Sequence, residues 1–154
     1  MKEKKIALAN EGATIKLGET LAKILKGGYF VSLKGDLGMG KSTLARSIVR
    51  EMMQVSNLEV PSPSFSLVQE YITNTGYNIY HCDLYRLHDP SEVLQLDLDI
   101  LAHNTINKDS IYLVEWAEKA EKFLRKCDLC IALSNLENGR IATIKGKYDI
   151  ICQL

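Results

Sequence analysis

One octapeptide constrains this chain more than any other feature. Its residues, Gly35-Asp36-Leu37-Gly38-Met39-Gly40-Lys41-Ser42, match GxxxxGK[ST] at every fixed position. Glycines at this spacing let backbone N–H groups turn inward around phosphate oxygens. The lysine places a cation on the outer phosphates, and the serine hydroxyl is a hard oxygen ligand suited to Mg²⁺. The pattern therefore predicts a loop that holds a phosphate chain and a magnesium ion.

The segments on either side of this octapeptide are the ones that a phosphate loop requires. Residues 29–33 are aromatic and β-branched at their start, which predicts a short strand. Residues 42–53 predict a helix, because Leu44 and Ile48 recur on one face. A helix that begins at Ser42 directs the positive end of its dipole at the same anion.

The rest of the chain alternates between strand and helix patterns, with Gly, Asn and Pro at the turns. This alternation predicts an α/β fold, and two pairs of adjacent strands predict antiparallel hairpins. Further strands are predicted at 6–9, 65–71, 77–82, 111–114, 129–133 and 141–144, and further helices between about 10–27, 89–101 and 117–125.

These elements predict a P-loop NTPase-like three-layer α/β fold, with a mixed, mainly parallel central sheet and antiparallel hairpins. A length of 154 residues suits one domain. We therefore expect residues 1–154 to form a single P-loop ATPase domain. Its core should span about 6–146, followed by a short C-terminal tail at 147–154.

Composition excludes several classes of protein. Hydrophobic residues make up 46% of the chain and charged residues 25%, which is ordinary for a globular protein. The longest apolar run, residues 129–133, is far below the roughly 20 residues of a membrane span, and the basic start lacks a signal-peptide core. We therefore expect a cytoplasmic protein without membrane contact. Nineteen basic and nineteen acidic residues leave no net charge, which argues against binding nucleic acid alone.

Two predicted strands end in an acid, the first in Asp83 and the second in Glu115. Ligands of open α/β sheets bind at the carboxyl ends of the strands, so both acids are candidates for the phosphate site. Either one is suited to Mg²⁺ or its waters, and Glu115 is alternatively suited to orient the water that attacks the γ-phosphate. The alternative for both is an ordinary charge at a strand end.

Three further positions are candidates with open alternatives. Ser62 and Ser64 alternate with prolines, and their hydroxyls either serve the metal and γ-phosphate or belong to a stiff connection. Arg86 either contacts phosphate or forms a salt bridge with a neighbour. Trp116, the single tryptophan, is interpreted first as a core residue and second as a partner or nucleotide contact.

The chain lacks the motifs by which GTPases recognise guanine. Residues 107–110 read Asn-Lys-Asp-Ser, which misses NKxD at its last position and precedes a strand instead of following one. No DxxG occurs, so ATP is the favoured nucleotide. The five arginines are unpaired in sequence, which weakens the interpretation as a small-molecule kinase with an arginine-rich lid.

Four cysteines are present, and two of them form a lone CxxC at Cys127 and Cys130. A zinc site needs four ligands, and no second pair is spaced to complete one. The favoured interpretation is reduced, buried or half-buried thiols.

Four motifs occur in this order: the octapeptide extended to Thr43-Leu44, then Pro61-Ser62-Pro63-Ser64-Phe65, His81-Cys82-Asp83-Leu84-Tyr85-Arg86-Leu87 and Val114-Glu115-Trp116. Together they resemble the TsaE (YjeE-type) family, bacterial P-loop ATPases needed to make threonylcarbamoyladenosine in tRNA. The resemblance spans about residues 6–145. It implies protein partners like TsaD and TsaB, with tRNA contacted mainly through them.

The resemblance also implies roles for matching residues. The loop through Lys41 would hold ATP, residues 61–65 would act as a switch-like segment, and Asn10 and Glu11 would lie near the base. Where the family commonly has Ala, Thr and Thr, this chain has Met39, Ser42 and Ser64. The candidate catalytic residues are Lys41, Asp83 and Glu115; the candidate metal ligands are Ser42, Asp83 and Glu115; the candidate nucleotide contacts are Asn10, Glu11, Gly35, Gly38, Met39, Gly40, Lys41, Ser42, Thr43, Ser64 and Arg86.

Three functions therefore stand at the level of sequence. The first is a Mg²⁺-dependent ATPase, slow alone, that assists tRNA threonylcarbamoylation through partners. The second is a stand-alone P-loop kinase of small molecules. The third is a nucleotide-gated binding module with negligible turnover, whose partner surface would be formed by the switch-like segment 61–65 and the acidic stretch 83–121.

Overall fold

The computed structural model describes residues 1–96 and 107–154. Within them, seven strands form one sheet in the order β1-β7-β6-β2-β5-β4-β3, flanked by helices. The strands are β1 Lys2–Leu8, β2 Phe30–Lys34, β3 Val68–Ile72, β4 Asn78–Asp83, β5 Ser110–Glu115, β6 Leu129–Leu136 and β7 Gly139–Gly146. The helices are α1 Glu11–Ile24, α2 Lys41–Met53 and α3 Tyr148–Ile151, with 3₁₀ helices at Pro90–Gln95 and Ala117–Ala120.

The sheet is mixed, as the sequence predicts. Strands β6, β2, β5 and β4 run parallel at its centre, whereas β3 pairs with β4, β7 with β6 and β1 with β7 in antiparallel fashion. Parallel and antiparallel pairings are thus equal in number among the described strands. Both predicted hairpins, β3–β4 and β6–β7, are confirmed, and the parallel centre places the ends of β2, β5 and β4 at one edge.

Some element bounds differ from the predicted ones for local reasons. The strand predicted at 65–71 begins only at Val68, because Leu67 N–H closes a turn onto Pro63 at 2.7 Å. The helix predicted at 89–101 is a 3₁₀ helix over Pro90–Gln95, capped reciprocally by Asp89 and Glu92. The predicted positions of Leu98 and Leu101 in that helix lie outside the described residues.

Apolar residues pack on both faces of the sheet. The helix-side core joins α1 and α2 to β2, β5, β6 and β7, and contains Leu21, Leu44, Ile48 and Leu113 among its buried members. The opposite core lies under the 3₁₀ helices and includes Phe30 and Val114 among others. Because each strand alternates between the two cores, side chains at a strand's end are held in a fixed direction.

The two long helices approach each other closely. A Cβ built on Gly18 of α1 would lie 1.6 Å from the Ser47 Oγ of α2, so a larger residue would force the helices apart. Gly18 therefore fixes the start of α1 relative to the phosphate loop that leads into α2. In the part of the chain that the structure describes, no helix is both long enough and apolar enough to cross a bilayer.

A candidate nucleotide-phosphate site at the carboxyl edge of the sheet

The glycine-rich loop leaves β2 and enters α2, as its pattern predicts. Gly38 and Gly40 have φ angles of +77° and +100°, which only glycine adopts without strain. Gly40 is the N-cap of α2 and has no side chain that could cap the helix. The first backbone N–H groups of α2 therefore have no side-chain acceptor at the N-cap. The loop therefore offers backbone donors and a helix N-terminus to an anion.

An arginine from the far hairpin supports this loop. Arg140 of β7 donates a hydrogen bond from Nη1 to the Met39 carbonyl oxygen at 2.8 Å. A Cβ on Gly40 would lie 2.6 Å from the same guanidinium nitrogen, so glycine makes room for the contact. The Met39 side chain packs against the helix-side core. Sequence reasoning did not single out Arg140, because no local motif marks a residue that acts across the fold.

Replacement of Arg140 by alanine is expected to weaken ATP binding about tenfold while leaving the fold intact. The loss of a hydrogen bond from a charged donor costs about 1.5–3 kcal/mol, and 1.4 kcal/mol corresponds to tenfold in affinity. Titration of the variant with ATP by calorimetry measures the effect. Lys145→Ala, an exposed cation on the same strand, is the matched control. Equal affinities of the two variants would contradict a supporting role for Arg140.

Lys41 begins α2 and folds back over the loop. Its ammonium group donates to the carbonyl oxygens of Gly35 at 2.5 Å and Asp36 at 2.8 Å, and the residue is only 5% exposed. Burial lowers the pKa of Lys41, while Glu115 and Asp83 oppose that shift. The nitrogen also lies 4.3 Å from the centroid of the Trp116 ring.

The serine after Lys41 contacts one of the two predicted acids. Ser42 Oγ lies 3.0 Å from Glu115 Oε2 and 3.2 Å from Oε1. Glu115 is 1% exposed, and its Oε1 is also 2.8 Å from His81 Nε2. A carboxylate oxygen can only accept, so the hydrogen atom of this contact is carried by His81 Nε2. The histidine thereby fixes the direction of the Glu115 carboxylate.

His81 is a further residue of the site. It belongs to one of the four sequence motifs, but the sequence alone assigns it no role. It is fully buried, and its Nδ1 has no hydrogen-bond partner among residues 1–96 and 107–154. The available signal was its position two residues before Asp83, which places both side chains on the same face of β4. What the sequence could not show was that this face meets Glu115.

Asp83, the other predicted acid, forms a hydrogen bond with the proline-flanked segment 61–65. Its Oδ2 accepts from the Ser62 hydroxyl at 2.7 Å, and its Oδ1 accepts from the Tyr85 backbone N–H at 3.0 Å. Of the two candidate serines, Ser62 is therefore the one that donates to Asp83, whereas Ser64 is half-buried in the turn that follows. The parallel register pairs Asp83 with Glu115, and Glu115 with Leu33 at the end of β2. Both acids consequently lie beside the phosphate loop.

Phe65 and Arg86 form a pair at the rim of the site. Phe65 is 84% exposed, and the Arg86 guanidinium carbon lies 4.4 Å from the centre of its ring. The sequence leaves a phosphate contact and a salt bridge open for Arg86, and the structure adds a cation–π contact with Phe65. It connects the segment 61–65 to the strand end that carries Asp83. Trp116 is half-buried and stacks at a tilt on Tyr85 at 5.1 Å between ring centroids.

Asn10, Glu11 and Thr43 line two cavities beside α1. Asn10 caps α1 by accepting from Ala13 N–H at 2.9 Å. Asn10 and Glu11 line a cavity of about 310 Å³ together with Arg140. Glu11 and Thr43 line a second cavity of about 380 Å³ between α1 and α2. Arg140 thus links the start of α1 to the phosphate loop.

The donor set suits a hard divalent cation that is shared with phosphate. Ser42, Glu115 and Asp83 present hydroxyl and carboxylate oxygens, which Mg²⁺ prefers over nitrogen or sulfur. Among the residues that the structure describes, no three His, Cys, Asp or Glu residues are grouped to hold a metal ion. Mg²⁺ in phosphate sites is bound by one or two carboxylates plus substrate oxygens and water, so this arrangement fits such a site.

A glycine loop between a central parallel strand and a helix, with acids at the ends of β5 and β4, the next two strands on one side of β2, defines the class of P-loop α/β proteins. Within this class the particular family follows from comparison. The model of the family "Threonylcarbamoyl adenosine biosynthesis protein TsaE" matches residues 8–142, so the chain belongs to the TsaE family.

Several proteins named tRNA threonylcarbamoyladenosine biosynthesis protein TsaE are similar along most of the chain. The Haemophilus influenzae protein is 35% identical over 138 residues, which cover 86% of this chain and 83% of the relative. The Bacillus subtilis protein is 30% identical over 158 residues, covering 99% and 94%. The crystal structure of Bacillus subtilis YdiB superposes with a TM-score of 0.75 at 25% identity, covering 99% of this chain and 93% of the other.

Proposed function

We propose that this chain is a Mg²⁺-dependent ATPase that supports formation of threonylcarbamoyladenosine in tRNA through partner proteins like TsaD and TsaB. One observation carries the ATPase part: the phosphate-loop hydroxyl of Ser42 is 3.0 Å from Glu115, and Asp83 is the register neighbour of Glu115. Membership of the TsaE family carries the pathway.

Each residue of the site has a proposed role that follows from its position. Lys41 exchanges its two loop carbonyls for phosphate oxygens when ATP enters. Ser42 and Glu115 would hold Mg²⁺, which would neutralise phosphate charge, and Asp83 lies beside them. His81 keeps the Glu115 carboxylate aimed at this position. Asp83 also holds Ser62, so a change at the acid reaches the segment 61–65.

The partner role rests on charge and surface. A chain without net charge has no strong general attraction for tRNA, so partners supply most of the contact with it. Exposed apolar side chains beside the phosphate site include Leu37 in the loop and Phe65 in the switch-like segment. A partner that contacts this rim would sense which nucleotide is bound.

The test uses a strain from which the gene for this chain has been deleted. Threonylcarbamoyladenosine in bulk tRNA is expected to fall on deletion and to return with the wild-type gene, but not with Lys41→Ala. Lys23→Ala, whose exposed side chain pairs with Glu51 on the helices, is the matched control and should restore the modification. Unchanged modification in the deletion strain would overturn the proposed pathway.

A second measurement separates hydrolysis from phosphoryl transfer to a metabolite. Purified protein with labelled ATP and a panel of metabolites is expected to release inorganic phosphate alone. A labelled metabolite would identify a kinase and contradict the proposal.

A third measurement recovers partner proteins on the immobilised chain with ATP and with ADP. Equal recovery with the two nucleotides would contradict nucleotide sensing at the rim.

Binding of ATP with Mg²⁺ is expected to change the fluorescence of Trp116. This residue is the single tryptophan, and the Lys41 ammonium group lies 4.3 Å from its ring, so movement of Lys41 to phosphate alters its surroundings. A change in emission that saturates with ATP measures the effect. Lys41→Ala keeps the fluorophore and should abolish the response. A saturating response of equal size in that variant would contradict this origin of the signal.

A further inference from the structure

Cys127 and Cys130 form a pair of half-buried thiols outside the phosphate site. Cys130 lies on β6, where its neighbours Leu129 and Ile131 face the helix-side core. The alternation along a strand therefore places Cys130 on the opposite face of the sheet. Cys127 packs against the core on that same face. The pair thus belongs to a surface that the proposed ATPase chemistry does not use.

A bend at Asp128 brings the two thiols together. In a fully extended chain, residues three apart would lie roughly 10 Å apart and point to opposite faces. Here Asp128 N–H donates to the Phe30 carbonyl at 2.8 Å, and its Oδ2 accepts from Phe30 N–H at 2.9 Å. Arg125 also donates to that carboxylate at 2.9 Å. These bonds fix the bend, and the strand register pairs Cys130 with Ser32, a residue that lines the same cavity as Cys127.

The surroundings of the pair favour a reactive sulfur. Cys127 lines a cavity of about 440 Å³ that is open to solvent and is also lined by Lys34 and Ser32. The Ser32 hydroxyl is 2% exposed and has no hydrogen-bond partner in the described ranges 1–96 and 107–154. The hydrogen bond from Cys127, aided by the Lys34 charge, lowers the pKa of Cys130 to about 6. The same coupling and burial raise the pKa of Cys127.

We propose that Cys127 and Cys130 form a reversible disulfide on reaction with a hydroperoxide, with Cys130 as the attacking sulfur and Cys127 as the resolving thiol. This proposal does not depend on the ATPase function. It rests on the bend at Asp128, the position of Cys130 beside Ser32 and the cavity that Ser32 and Cys127 line.

The chemistry balances with hydrogen peroxide as the oxidant. The Cys130 thiolate attacks one peroxide oxygen, which forms an S–O bond, breaks the O–O bond and releases hydroxide that takes up a proton as water. The Cys127 sulfur then gives up its proton and attacks the Cys130 sulfenic acid. An S–S bond forms, the S–O bond breaks and a second water leaves. Two thiols lose two hydrogens in total, and one peroxide is reduced to two waters.

The other two cysteines provide internal controls. Cys82 is fully buried in the opposite core, and burial raises its pKa, so it should not react in the folded protein. Cys152 is exposed near the C-terminus, where its thiol donates to the Asp149 carbonyl at 3.5 Å. It lacks a neighbouring thiol among the described residues and therefore cannot form an intramolecular disulfide with them.

The test exposes the reduced full-length chain to hydrogen peroxide and maps its peptides by mass spectrometry without reduction. The expected product is a Cys127–Cys130 disulfide, seen as the loss of two hydrogens and reversed by dithiothreitol. Cys152→Ser should form it to the same extent. Cys130→Ser should slow oxidation of Cys127 at least about tenfold, since a thiol of ordinary pKa is mostly protonated near neutral pH.

Two results would overturn the proposal. One is that both thiols stay reduced under peroxide that oxidises Cys152, which needs no variant and so does not depend on the folding of one. The other is that Cys127 in the Cys130→Ser variant reacts as fast as in wild type. Circular dichroism of each variant confirms that the comparison is made between folded chains.

Discussion

Replacement of Lys41 by alanine is expected to abolish ATP binding and phosphate release by this chain. Under the proposed function the Lys41 ammonium group binds the outer phosphates, and charge-assisted hydrogen bonds of this kind are worth about 1.5–3 kcal/mol each. Loss of two such bonds corresponds to a drop of at least about 100-fold in affinity. Calorimetric titration with ATP and an assay of released phosphate measure the two effects.

The controls for Lys41→Ala must separate a loss of ATP binding and hydrolysis from a loss of the folded structure. In the structure, Lys41 also holds the Gly35 and Asp36 carbonyls, so its removal loosens the loop as well. Thermal unfolding of Lys41→Ala reports whether the domain stays folded, and Lys23→Ala repeats the loss of one lysine at an exposed helix position. Normal ATPase activity in folded Lys41→Ala protein would refute the proposed function.

Replacement of Glu115 by glutamine is expected to reduce turnover much more than ATP binding. Glu115 contacts the Ser42 hydroxyl and His81 rather than the backbone N–H groups of the glycine loop, so most of the expected binding contacts remain. Loss of a carboxylate that positions metal or water typically costs 10²–10⁴-fold in rate, so we expect kcat to fall by at least about 100-fold. Steady-state phosphate release gives kcat, and calorimetry gives the affinity.

Glutamine is the informative replacement because Glu115 is buried. Alanine would leave a cavity and remove the partner of His81, which would lower stability as well as activity. Glutamine keeps the volume and one carbonyl oxygen. Glu118→Gln, an exposed acid three residues later, is the matched control and should leave kcat unchanged. A Glu115→Gln enzyme that turns over at the wild-type rate would contradict the assignment.

The local parts of the fold could be predicted from sequence because their causes are local. The strand before the loop, the helix after it and the two hairpins follow from apolar periodicity and turn residues, and the structure has all of them. The acids Asp83 and Glu115 could be placed at one edge because parallel strands end together, and the register pairs them. Their catalytic and metal-binding roles stay predictions.

The remaining features could not be predicted because they depend on contacts between distant segments. Nothing near Arg140 in sequence shows that it faces the Met39 carbonyl, and nothing near His81 shows that it meets Glu115. The 3₁₀ helix Pro90–Gln95 falls where apolar spacing predicts a longer helix, and the 3₁₀ helix Ala117–Ala120 falls where a short polar helix is predicted over about 117–125. The residue pattern alone does not distinguish the two kinds of helix at this length.

The support of the loop by Arg140 joins residues 101 positions apart, and β2 is flanked in the sheet by β5 and β6, which both come later in the chain. During synthesis, a ribosome therefore exposes the complete glycine loop long before the strands that hold it exist. An N-terminal fragment would carry the motif without the site. Under the proposed function, nucleotide binding would therefore require that the strands after the loop, up to β7, have been made and folded, and it would serve to time that event on the ribosome.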